Sequence, residues 1–285
     1  MLKVISFGEA LVDMLSNRIN AAQTDSHEAF TKYPGGAPAN VAAAVAMLGG
    51  DSHMAGKIGN DMFGEFMHQS LLDAGVQTDY LLRTSEANTA LAFVSLDEQG
   101  ERSFTFYRNP SADMLFTEDE FQRSWFKSAG LFHFCSNTLT EPSIRQATLA
   151  GIQMARDAGY LISFDVNLRH NLWPQGSDPL APIWSALEQS DLVKLCSEEM
   201  DFLCRDQTQQ QIIERLLSTG VSLILLTDGG KPLRYFSQAQ SGSVEPPKVK
   251  MVDSTAAGDA FIGGFLYQLA EQDCGLGQLA ALTSD

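Results

Sequence analysis

The sequence predicts an α/β protein: a doubly wound, mainly parallel sheet with helices on both faces and a small β-sheet unit beside it. Short apolar runs alternate with segments of helical period along most of the chain. Two stretches, 11–33 and 80–110, break that alternation and read as extended or irregular. Polar residues gather directly after the apolar runs, where an open parallel sheet binds its ligands.

Taken in order, Lys3–Phe7 reads as a buried strand and Asn40–Leu48 (NVAAAVAML) as an alanine-rich helix. Met62–Leu72 sets Phe63, Phe66, Met67 and Leu71 at helical spacing, with Asp61 in the N-cap position. Thr89–Leu96 and Arg102–Tyr107 flank the turn DEQG and read as an antiparallel hairpin. Strands follow at Leu131–Phe134, Tyr160–Phe164, Asp191–Leu195 and Val221–Leu226, separated by helices near 143–158, 182–189 and 208–218. Phe261, Ile262, Phe265, Leu266 and Leu269 place a last helix from about Gly258. The expected division is a core of residues 1–10, 34–79 and 111–285 and a β unit of 11–33 and 80–110.

Composition excludes some partners. A formal charge of -16 argues against a nucleic-acid backbone, which needs a basic surface, but not against a small anion held by local amides and a cation or two. The four cysteines form no CxxC pair, so reduced core thiols are expected. MLKVISFGEALVDML reads as a strand rather than a signal peptide, and no apolar stretch approaches a membrane span. The expectation is a soluble cytoplasmic protein.

Chemistry is concentrated in DSTAAGDAFIGGF, residues 253–265. The first turn of the expected helix carries unpaired N–H groups and partial positive charge, and Ala256, Ala257 and Gly258 leave them open to an anion. Asp259 would repel that anion. It makes sense as a base taking a proton from an attacking hydroxyl, although a first-turn aspartate favoured by the helix dipole reads equally well on this segment alone. Further polar groups follow other strands: Asp165, Asn167 and Arg169, aimed to one side if that segment stays extended, then Lys194, then Thr227-Asp228-Gly229-Gly230. Each alone is ordinary loop chemistry; together they mark one end of the sheet. Gly35-Gly36-Ala37-Pro38-Ala39-Asn40 leads into a helix and is either a binding loop or only a cap. Gly56-Lys57 is no phosphate loop, because Ile58 stands where Ser or Thr is required. No GxGxxG opens the first helix, which weighs against a nucleotide-linked oxidoreductase.

FGEALVDM (7–14), PGGAPANVA (34–42), GERSFTFYRNPSADML (100–115), FDVNLR (164–169) and DSTAAGDAFIGG (253–264) resemble the ribokinase-like, PfkB-type carbohydrate kinases, and within them the fructokinases, almost from end to end. The resemblance implies a ribokinase-like fold with a β-sheet lid closing over a sugar, and an ATP-dependent fructokinase acting on the 6-hydroxyl. By the same resemblance Asp259 is the base and Ala256, Ala257 and Gly258 the anion hole. Asp13, Gly35, Gly36 and Asn40 bind the sugar, with Arg108 reaching in from the lid. Asn167 approaches sugar or phosphate and Arg169 neutralises the γ-phosphate. Glu199 organises Mg²⁺ through its waters, and Lys194, Thr227 and Gly229 border the nucleotide. Asp253 and Thr255 match positions that hold a monovalent cation, usually K⁺.

Three departures from the family pattern stand out. Ala256 replaces the first glycine of Gly-Ala-Gly-Asp, with little loss expected unless the position needs a positive φ. Cys196 stands where Asn-x-x-Glu has its asparagine. Family members also continue past the position of Asp285 through a helix and strands that wall the adenine pocket and complete the cation site. Alternative readings are a kinase of 2-keto-3-deoxygluconate or an aminoimidazole riboside, or a non-catalytic sugar-binding module. An exposed lid edge leaves a homodimer open.

Overall fold

A computed structural model describes residues 1–19, 27–96, 102–108, 110–250 and 254–279. In chain order the elements are β1 (Lys3–Phe7), β2 (Leu11–Ser16), β3 (Phe30–Gly35), α1 (Ala37–Met47), β4 (Ser52–Gly59), α2 (Met62–Asp73) and β5 (Leu81–Thr84). Then come β6 (Leu91–Leu96), β7 (Arg102–Tyr107), β8 (Gly130–Cys135), α3 (Pro142–Asp157), β9 (Leu161–Asp165), α4 (Leu180–Leu187) and β10 (Leu192–Cys196). The chain continues through α5 (Ser197–Cys204), α6 (Gln209–Ser218), β11 (Leu223–Thr227), β12 (Leu233–Ser237), β13 (Ser241–Val244), α7 (Ala257–Glu271) and α8 (Leu276–Leu279).

Among the described residues nine strands form one sheet in the order β13-β12-β11-β10-β9-β8-β1-β4-β5, parallel from β11 to β5 with an antiparallel hairpin at the β13 edge. The strands are apolar without strict alternation because both faces are covered. Ile5, Phe7, Phe132, Phe134, Ile162, Phe164, Val193 and Leu195 pack beneath α3, α4, α5 and α6. Their neighbours Val4, Leu131, Leu161 and Leu192 point the other way, onto α1 and α7. Phe134 stacks on Phe164 with ring centroids 4.7 Å apart; burying each ring stabilises the fold by roughly 2–3 kcal/mol.

A separate four-stranded sheet, β3-β2-β6-β7, forms the small unit. Its hairpin β6–β7 is antiparallel as expected. It touches the body through Lys32 over the Phe66 ring of α2 (4.2 Å) and through Asn171 Nδ2, which donates to Phe104 O at 3.1 Å.

The structure corrects several expectations. Leu81–Thr84, expected in the lid, pairs in parallel with β4 and closes the edge of the large sheet. The strand Ser52–Gly59 has no pattern that marks it, because His53 and Lys57 are buried inside it; Lys57 donates to Leu115 O (2.7 Å) and pairs with Glu120 (2.6 Å), so its ammonium is committed to structure. The run from Asp165 does not stay extended: Asn167 turns at φ 35, burying Asp165 and Asn167 and leaving Arg169 exposed.

Candidate active site

The winding of the large sheet reverses between β1 and β8, which makes the carboxyl ends of these strands the place to look for ligand chemistry. Helix α7 packs against α1, β1 and β8 there. Gly263 makes the approach possible, since a Cβ on it would lie 2.7 Å from that of Ala44 in α1. Close packing brings Asn40, in the first turns of α1, onto Asp259 in the first turn of α7: Asn40 Nδ2 donates to Asp259 Oδ2 at 2.9 Å.

Burial pushes the Asp259 carboxyl above the ordinary carboxylate range, against the opposing pull of the Asn40 hydrogen bond and of the Lys194 and Arg169 charges. Asp13, on β2 of the small sheet, faces the same space. Burial, aided by the Asp259 charge, pushes it up to about 6. Gly35 stands beside Asp13 because a side chain there would collide with Asp13 Oδ2. Gly36 turns into α1 at φ 98, where a Cβ would sit 2.5 Å from Glu9 O.

The turn before α7 does need a positive φ. Ala256 is its N-cap at φ 56, ψ 13, a left-handed conformation costing an alanine about 1–2 kcal/mol. The exception attached to this replacement therefore applies: the position needs a positive φ, and the alanine is not free of cost. The Ala257 amide donates to Ser254 O at 3.2 Å, so one of the three expected anion-hole amides is already engaged. A Cβ at Gly258 would come within 3.0 Å of Lys194 Nζ, which places an ammonium directly beside the start of the helix.

That ammonium is fixed by Asp165, whose carboxylate oxygens accept from Lys194 Nζ at 3.1 and 2.9 Å. Burial works against charge on Lys194, yet Asp165, Glu199 and Asp259 more than offset it and raise its pKa. Burial raises Asp165 to about 7, against the pull of Lys194. Glu199 accepts from Cys196 N and Leu168 N, both at 2.8 Å, so it ties the loop carrying Asn167 and Arg169 to the start of α5. Thr227 is half-buried at the end of β11, and Gly229 is exposed at φ 54 beyond it. Thr255 is exposed, and Asp253 lies outside the described residues.

Arg108 is anchored by the body of the protein. It sits where β7 leaves the small sheet and its guanidinium is buried, donating to Asp113 Oδ2 (2.7 Å) and Asn137 O (2.9 Å). Sequence reading missed its companions Glu9, Asp113 and Asn137; the available signal was a glutamate placed immediately beyond a buried strand. No three His, Cys, Asp or Glu side chains converge as a metal-ligand set among the described residues.

The cleft therefore combines a raised-pKa carboxylate with its amide partner, a second carboxylate on the facing sheet, a buried ammonium and an exposed guanidinium. Such a set can accept a hydroxyl proton while holding a migrating negative charge.

Comparison with known proteins matches this picture. The chain matches the description "pfkB family carbohydrate kinase" over residues 1–279. It is 41% identical to Fructokinase-1 of Zea mays over 96% of this chain and 84% of that one. Among solved structures, a fructokinase from Xylella fastidiosa with bound ATP superposes with TM-score 0.92 at 44% identity, covering 98% of this chain and 84% of that chain. A double mutant of the Vibrio cholerae O395 fructokinase, in its fructose, ADP and potassium ion bound form, gives 0.85 at 36%, covering 95% and 84%.

Proposed function

The chain belongs to the pfkB family of carbohydrate kinases, and from that premise we propose that it is an ATP-dependent fructokinase, moving the γ-phosphoryl group of MgATP to the 6-hydroxyl of D-fructose. The observation that carries the reading is the Asp259–Asn40 pair at the start of α7, facing Asp13 and flanked by Lys194 and Arg169. The solved relatives described above bind ATP in one case and fructose, ADP and potassium in the other.

Asp13, Asn40 and the side-chain-free Gly35-Gly36 turn hold the sugar so that a hydroxyl meets Asp259. Asp259 takes the proton as the oxygen attacks phosphorus. A raised pKa suits a base, because a more basic carboxylate takes the hydroxyl proton more readily while it is still ionised at the working pH. The Ala256–Gly258 turn, Lys194 and Arg169 stabilise the charge spreading over the transferred group; positioning and electrostatics dominate phosphoryl transfer generally. Asn167, Thr227 and Gly229 border the nucleotide. Mg²⁺ bound to the ATP phosphates would supply charge neutralisation there, which fits a site without a protein-only ligand set; Glu199 would act on it only through water, having both oxygens on backbone amides. Thr255 and Asp253 would serve K⁺. We place the reaction in the cytoplasm, in keeping with four free cysteines.

The test is a coupled assay of ADP release with fructose, ribose, 2-keto-3-deoxygluconate and aminoimidazole riboside, each with MgATP. Fructose should give the highest kcat/KM. Preference for another sugar would move the substrate assignment, and fructose binding without ADP release would make the chain a binding module.

A further inference from the structure

The chain crosses between body and small sheet four times: out through Gly8–Ala10, back through Gly35–Ala37, out again through Asn88–Ala90 and back at Arg108. Glu9 lies on the first crossing, and its side chain is 1% exposed. Its Oε1 accepts from Ala37 N on the second crossing at 3.3 Å, and its main-chain oxygen is what forbids a side chain at Gly36. The same Oε1 accepts from Asn137 Nδ2 at 2.8 Å, and Asn137 O in turn accepts from Arg108 Nη2 on the fourth crossing. Asp113 completes the set, paired with Arg108 and accepting from Ser111 Oγ at 2.6 Å.

We propose that Glu9 is a positioning residue for sugar binding, whose carboxylate joins three of the four crossings and so fixes the start of α1 and Arg108 relative to each other. A buried ionic cluster is an expensive way to stabilise a core, since packed apolar side chains of similar volume often do as well or better. This one stands just beyond β1 and β8, where the winding reverses. What it holds are the Gly35–Asn40 segment and the base of the lid, the two parts that must keep their distance constant for a sugar to be gripped between Asp13 and Asn40. It also keeps one acceptor open at that point, since Asn137 Oδ1 is buried without a partner among the described residues. The sugar half of the inference rests on the fructokinase reading; the geometric half does not.

Glu9→Met keeps nearly the volume but removes both the acceptor held by Ala37 N and Asn137 Nδ2 and the charge facing Arg108. Expected results are a fructose KM raised about tenfold or more, with kcat and the ATP KM within about threefold, and a parallel loss of fructose affinity by calorimetry without nucleotide. Amide hydrogen exchange on the ligand-free protein should speed up at Ala37, Arg108 and 111–113, and stay unchanged in α3 and β9. Asn137→Ala, which removes the Nδ2 donor to Glu9 while keeping the main-chain oxygen on Arg108, should give the same signature and decides the matter if Glu9→Met does not fold. Unaltered sugar KM and exchange, or a loss shared equally by both substrates with faster exchange throughout, overturns the proposal. Should the unmodified protein bind no fructose, the fructokinase reading fails by itself, and the exchange pattern alone then decides for or against Glu9.

Discussion

The two sheets are built to different standards. In the large one β1, β4, β8 and β9 are buried on both faces, and the groups it carries to the cleft are each doubly held: Lys194 by both Asp165 oxygens, Glu199 by two backbone amides. In the small one β3 is exposed along nearly its whole length, and Tyr107 remains 64% exposed despite its edge contact with Phe93. Dense burial keeps catalytic geometry fixed, whereas sparse burial makes local opening inexpensive, as a cover over a ligand requires. On the proposed reading, chemistry would belong to the first region and admission of substrate to the second.

Several experiments break or sharpen that contrast. Asp259→Asn in the rigid region should lower kcat by about 10²–10⁴ while calorimetry still shows sugar binding; near-normal turnover would remove the base. Phe134→Ala, fully buried and stacked on Phe164, should cost about 3–5 kcal/mol in denaturant unfolding, whereas Tyr107→Ala in the small sheet should cost under about 1 kcal/mol. Equal losses would abolish the distinction.

The pH profile joins the two regions. In the proposed mechanism Asp259 and Asp13 both act ionised, so kcat/KM should be retained above their raised pKa values and lost as pH falls through them, about 6 for Asp13. The stability sign is opposite. Asp13 has a folded pKa above its unfolded one, so its contribution is fully favourable below about 3.8 and is lost as pH rises through about 6. Asp13→Asn should therefore stabilise the protein by about 1–2 kcal/mol at pH 8, with the gain fading in acid, while sugar binding suffers. A gain that did not depend on pH would dismiss this account. The smallest effect belongs to the turn before α7: Ala256→Gly should add about 1 kcal/mol by removing left-handed strain, read as a higher urea midpoint with unchanged slope.

Legibility in the sequence followed the same division. Strands covered on both faces show as uninterrupted apolar runs, so Lys3–Phe7 and the segments near 131, 160, 191 and 221 were visible. Ser52–Gly59 was not, because its buried Lys57 finds its partners Leu115 and Glu120 far away in sequence and its buried His53 stacks on the distant Tyr80; neither was the hairpin β12–β13, which is only half-covered. The carboxylate at 259 is legible because small residues surround it; Asn40 is legible only through the family resemblance of PGGAPANVA, and its bond to Asp259 not at all. The cluster around Arg108 was hidden: Glu9, Asp113 and Asn137 come from three separate segments, and nothing local in any of them signals the others. The bend at Asn167 was hidden too, since positive φ in an asparagine leaves no trace in spacing.

The contact between Gly258 and Lys194 Nζ has an outcome for variation at both sites. A methyl group at 258 would press on the far end of a flexible side chain, so the two positions are coupled without glycine being indispensable. Gly258→Ala should shift Lys194 Nζ by a few tenths of an ångström and loosen its grip on Asp165 rather than remove it.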